Sequence, residues 1–145
     1  GLFGAQWAER IAGLLERHRS ALERVASVPF LHDTTTKNVI VAPDGRFSGI
    51  VDVDDLCFGD PRYAPALTQA ALLLHRGPTA YVDFWMAEAG HADDPLFRFY
   101  VVLFVLDLMS EHGQQFNGNE TPSDPEVRNW LQTVFDREME RAEGY

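Results

Sequence analysis

Three oxygen-bearing side chains are the residues of this sequence best suited to chemistry. They are Asp33, Asn38 five residues later, and Asp52 fourteen residues after the Asn, at the end of Gly49-Ile50-Val51-Asp52. Carboxylate and amide oxygens are hard donors that suit Mg²⁺, an ion that keeps several waters and takes substrate phosphates among its remaining ligands. One acid is then left over to work on a substrate hydroxyl. The chemistry this set points to is phosphoryl transfer to an alcohol, driven by positioning and charge neutralisation.

Bringing these residues together requires a β unit. Asn38 to Val41 is apolar and β-branched after its first residue, Pro43-Asp44-Gly45 is a turn signal, and Arg46 to Val53 reads as the returning strand. Such a hairpin sets Asn38 and Asp52 at the ends of neighbouring antiparallel strands. Ahead of it, Trp7, Ile11, Leu14, Leu15, Ala21, Leu22 and Val25 recur every three to four residues, the stripe of an amphipathic helix closed off before Pro29. After Gly59-Asp60-Pro61 the pattern turns helical: Tyr63 to Arg76, Thr79 to Ala89, Pro95 to His112, and a last stripe through Val127, Trp130, Leu131, Val134, Phe135 and Met139. Pro95 to His112 is apolar nearly all round and reads as a central buried helix. Gly113 to Ser123 is a polar loop, and Asp124-Pro125 an N-cap followed by a first-turn proline. The expected fold is α+β and mostly helical: a long helix, a β-hairpin, then about four helices in a single domain spanning 1–145.

The segment from His32 to Pro61 resembles the signature of the aminoglycoside phosphotransferase and choline kinase family, which shares the protein-kinase-like fold. Asp33, Asn38, Ile50-Val51-Asp52 and Gly59-Asp60-Pro61 follow one another in that family's order and at similar spacing. The helices after Pro61 are similar to its helical C-terminal lobe. The resemblance implies that Asp33 accepts or orients the proton of the attacking hydroxyl, and that Asn38 and Asp52 hold Mg²⁺ against the phosphates of ATP or GTP. It also implies that Ile40 and Val51 floor the adenine pocket, although plain strand core explains those two equally well. In the family the later helices build the acceptor site, and here they carry Asp83, Glu88, Asp93, Asp94, Asp107 and Glu111. Asp107 and Glu111 lie four apart on one helix face and could hold an ammonium group, as on an amino sugar or choline; a solvated acidic face is the alternative. Asp60 is expected to cap the next helix and brace its loop, and His32 to brace the loop ahead of Asp33.

The chain departs from the family pattern in its loop and in what it lacks. Leu31 stands where the family has a His, His32 where it has a Gly, and Thr34, Thr35 and Thr36 fill the segment between Asp and Asn. The only lysine is Lys37, and no glycine-rich strand–turn–strand precedes the first helix, so the phosphate-clamping N-terminal lobe is not in this sequence. With Gly1 at its start rather than Met, the chain reads as a piece of something longer, one that lacks useful kinase activity alone. It would leave uncovered the apolar face toward the missing lobe, through which copies could self-associate.

Composition bounds the rest. A net charge of −10 excludes the basic face that nucleic-acid binding needs, while an acidic surface can attract a cationic acceptor. The lone Cys57 cannot form an internal disulfide, and no signal peptide or span of membrane length is visible, so a cytoplasmic protein without membrane partners is expected. Two other readings compete. Val51-Asp52-Val53-Asp54-Asp55 matches the Asp-x-Asp of aspartyl-phosphate phosphatases, but that chemistry needs a downstream lysine and alternating strands and helices. A kinase-like lobe serving as a non-catalytic binding or scaffold module is the other.

Overall fold

The computed structural model describes residues 4–32, 38–54, 56–112 and 124–144. In these, helix α1 (Gln6–Leu22) leads into strands β1 (Val28–Leu31), β2 (Val39–Val41), β3 (Phe47–Ile50) and β4 (Leu56–Gly59). Helices α2 (Tyr63–Leu74), α3 (Ala80–Glu88), α4 (Pro95–Ser110) and α5 (Pro125–Glu143) follow. The α+β, mostly helical expectation holds at this level.

The strands form two antiparallel pairs, β1 with β4 and β2 with β3. Val28 pairs with Gly59 and Leu31 with Leu56; Val39 pairs with Ile50 and Ile40 with Gly49. In chain order β2 and β3 fall between β1 and β4, so the second ladder is nested inside the first. Its tip is closed by Gly45 at φ +82°, with Asp44 Oδ1 accepting from the Arg46 amide at 3.1 Å. The returning strand is shorter than its apolar run suggests: it ends at Ile50, and Asp52 takes a left-handed backbone conformation at φ +60°.

Helix α4 is the centre of the core and packs against α1, α2 and α5. Phe97, Phe99, Val101, Val102, Phe104, Val105 and Met109 are all buried, as the unbroken apolar run predicts. Each such side chain contributes roughly 1.5–3 kcal/mol on leaving water. The Asp124 cap is as the sequence reads, and Asp94 makes the same one for α4: Asp94 Oδ1 and Asp124 Oδ1 each accept from the backbone amide three residues on, at 2.8 Å, with a proline next to the cap. Helix α1 buries Trp7, Ile11, Leu14 and His18, the last a histidine on an otherwise apolar stripe, and ends at Leu22 before reaching Val25.

Candidate functional site

The expected metal ligands lie just beyond the paired ends of β2 and β3. Asn38 directly precedes β2 and is buried; its backbone carbonyl accepts from the Val51 amide at 2.9 Å, extending the pairing by one step past Ile50. Asp52 comes next, one residue out of register with Asn38. The left-handed backbone at Asp52 is a conformation that Asp and Asn tolerate better than most residues, and outliers of this kind concentrate at ligand sites. Asp33 lies outside the described residues. The segment that holds it runs from His32 to Asn38, and both of those ends are fixed.

His32 is fixed through its ring. Its Nε2 lies 3.1 Å from the Tyr63 hydroxyl, and the rings are tilted against each other at 5.5 Å. Tyr63 in turn packs edge-on against Phe104 of α4 at 4.6 Å and beside Phe30 of β1 at 5.2 Å. The loop-bracing role expected of His32 is what the geometry gives it.

The other end of the outer ladder is clamped by ions. Asp60, directly after β4, accepts from Arg62 Nε at 2.8 Å and Nη2 at 2.7 Å, and from the Arg62 backbone amide at 2.9 Å. Tyr100 Oη donates to it at 3.1 Å, and Arg62 Nη1 reaches Asp94 at 2.5 Å. Burial pushes the Asp60 carboxyl up, but the hydrogen bonds and charge of Arg62, with the bond from Tyr100, hold it below the usual carboxylate range. The same burial, with the charge of Asp60, raises the Tyr100 phenol. Asp60 therefore braces its loop as expected, but caps nothing: no side chain caps α2.

The remaining expected residues divide. Ile40 and Val51 are 44% and 45% exposed, so neither is strand core. Val41, Phe47, Ile50, Val53, Leu56 and Phe58 are likewise large hydrophobics left in solvent. Asp107 is exposed and Glu111 half-buried. Counting in helical steps, they continue the side of α4 that bears Tyr100 and Phe104, the residues that touch Asp60 and Tyr63. This places them beyond the Tyr63 contact, toward the C-terminal end of α4. Asp83 and Glu88 are exposed on α3, whereas Asp93 and Asp94 pair with Arg98 and Arg62.

His18 and Glu138 are among the buried polar groups that sequence reasoning missed. His18 Nε2 is buried with no hydrogen-bond partner among the described residues, its ring tilted 6.1 Å from Phe99. Burial, and then the charge of Arg17, lower its pKa, against an opposing pull from Asp94. Glu138 is fully buried and accepts from Arg137 Nε at 2.9 Å, Arg141 Nη1 at 3.2 Å and Arg98 Nη1 at 3.4 Å. Both lie on apolar stripes, and that position was the available signal.

Among the described residues no group of three or more His, Cys, Asp and Glu side chains is arranged to hold a metal. The Asn38–Asp52 pair is a different kind of donor set, one amide and one carboxylate, which suits an ion that takes its other ligands from water and phosphate. No family model, curated protein or solved structure matches this chain.

Proposed function

We propose that this chain is the catalytic and acceptor-binding lobe of a small-molecule phosphotransferase resembling the aminoglycoside phosphotransferase and choline kinase type. The observation that supports the reading is the placement of Asn38 and Asp52 one residue out of register just beyond the paired ends of β2 and β3, with His32, the residue before Asp33, within hydrogen-bond distance of Tyr63. Asn38 and Asp52 would hold Mg²⁺, which neutralises charge on the nucleotide phosphates. Asp33 would orient the acceptor hydroxyl and take its proton as the acceptor oxygen bonds to the γ-phosphorus and the bond to the β–γ bridging oxygen breaks. The exposed Ile40 and Val51 would lie against the purine of ATP or GTP, a use that explains apolar side chains left in water better than core packing does. Asp107 and Glu111 would face the acceptor, in keeping with an ammonium-bearing alcohol.

Lys37 is the only lysine, so no strand lysine pairs with the phosphates from within this sequence. The chain alone should bind Mg-nucleotide weakly and turn over poorly. That same lack, with Leu31 and His32 in the loop, favours the second reading, a non-catalytic kinase-like lobe. The aspartyl-phosphate phosphatase reading loses support, because everything described after β4 is helical and both sheets are antiparallel. Calorimetric titration with ATP and GTP, in Mg²⁺ and in EDTA, tests the proposal. Metal-dependent binding that Asp52→Asn abolishes supports it; binding indifferent to metal and to that substitution removes it.

A further inference from the structure

Helix α3 turns its aromatic side outward. Tyr81, Phe84, Trp85 and Glu88 are spaced to share one face, while Val82 and Met86 on the opposite face enter the core. Tyr81 and Phe84 are 62% and 64% exposed, and the half-buried Trp85 ring lies 5.9 Å from that of Tyr81. A surface helix ordinarily presents polar residues to solvent. Aromatic residues grouped on a surface are instead what protein interfaces concentrate.

Charge selects the occupant. From Gly77 to Phe97 the chain has no lysine or arginine, yet it carries Asp83, Glu88, Asp93 and Asp94. Arg98 answers Asp93 and Arg62 answers Asp94, so Glu88, with no cation among its neighbours in sequence, sets the charge at the aromatic stripe. A second copy of this chain, itself at −10, would bring like charges against like. Ammonium and guanidinium groups are drawn both to the carboxylates and to the faces of Tyr, Phe and Trp rings.

We infer that the outward face of α3 docks a lysine- or arginine-bearing segment of a partner protein, independently of the phosphotransfer site. The test is a titration of the full chain with a synthetic lysine- and arginine-rich peptide, and with its counterpart carrying glutamate at every basic position, read by calorimetry and by backbone amide shifts. The basic peptide should bind saturably with its largest shifts in α3, and the acidic one should not bind. Tyr81→Ser with Phe84→Ser, and separately Glu88→Lys, should each weaken binding at least about tenfold, the loss expected when an interface anchor is removed. These sites are exposed, so circular dichroism should show both variants folded. The proposal is overturned by absence of saturable binding, by shifts centred elsewhere, or by unchanged affinity in the aromatic double variant. Self-association of the free chain that the double variant abolishes would also overturn it, making the occupant a second copy.

Discussion

The Tyr63 hydroxyl lies 3.1 Å from His32 Nε2, and this contact joins the residue just ahead of Asp33 to the centre of the helical core. Tyr63 reaches that core through Phe104 of α4. Tyr63→Phe keeps the ring packing and removes only the hydrogen bond. It should cost about 1 kcal/mol in urea unfolding, the net worth of one such bond. A loss below a few tenths would mean that His32 is held by ring packing alone.

The clamp on the outer ladder makes a prediction with a definite sign. The folded-state pKa of Asp60 is depressed below its ordinary 3.8, so the unfolded chain binds the proton more readily. Its stabilisation is therefore complete above the unfolded value and is lost as pH falls through the folded one. Asp60→Ala removes the buried partner of Arg62, which keeps Asp94, and should cost about 1–3 kcal/mol at neutral pH, the loss of charge-assisted hydrogen bonds rather than of all compensation. Acid unfolding of this variant should be less steep below about pH 4 than that of the parent chain.

His18 gives a second pH dependence, at milder acidity. Its pKa is lowered from 6.5, chiefly by burial, so the neutral ring is the form the fold accepts. Stability should hold above 6.5 and fall as pH drops through the lower folded value, because the unfolded state then binds the extra proton. Asp94, the acid that opposes this shift, is itself engaged by Arg62. His18→Leu removes both the orphaned nitrogen and the titration. Melting temperatures between pH 7 and 5 should decline for the parent chain and stay flatter for the variant; parallel profiles would refute the assignment.

Ile40 and Val51 separate a ligand face from a structural one. Being exposed, Ile40→Ser and Val51→Ser should change stability by no more than about 0.5 kcal/mol. Both should weaken Mg-nucleotide binding. If they instead destabilise the chain and leave binding unchanged, the pair packs against something other than a purine.

Much of this architecture is readable from local pattern. The stripe of α1, the all-apolar α4, the Asp124-Pro125 start of α5 and the Pro43-Asp44-Gly45 turn each carry their signal within a few residues. Strands β1 and β4 do not. Their four-residue segments contain or adjoin Pro29 and Gly59-Asp60-Pro61, which read as breakers, and they are stabilised by pairing Val28 with Gly59 across the chain. Proline is tolerated there because a two-stranded ribbon has an open edge. The Asp60 clamp was hidden for the same reason, since Tyr100 and Asp94 lie far along the sequence. For the site, the turn and strand pattern was enough to place Asn38 and Asp52 near the paired ends of β2 and β3. The left-handed turn that stops β3 short of Asp52 had no signal in the β-branched residues around it.

The central claim is that Asn38 and Asp52 together hold a divalent ion. Mn²⁺ is a paramagnetic stand-in for Mg²⁺, and it broadens the amide signals of residues near its binding site. Added at substoichiometric amounts, with nucleotide present, it should broaden signals around Asn38 and Val51 to Asp54 first, and Asp52→Asn should largely remove the effect. Broadening that centres on the exposed acids of α3 or α4, or that persists unchanged in Asp52→Asn, would contradict the account.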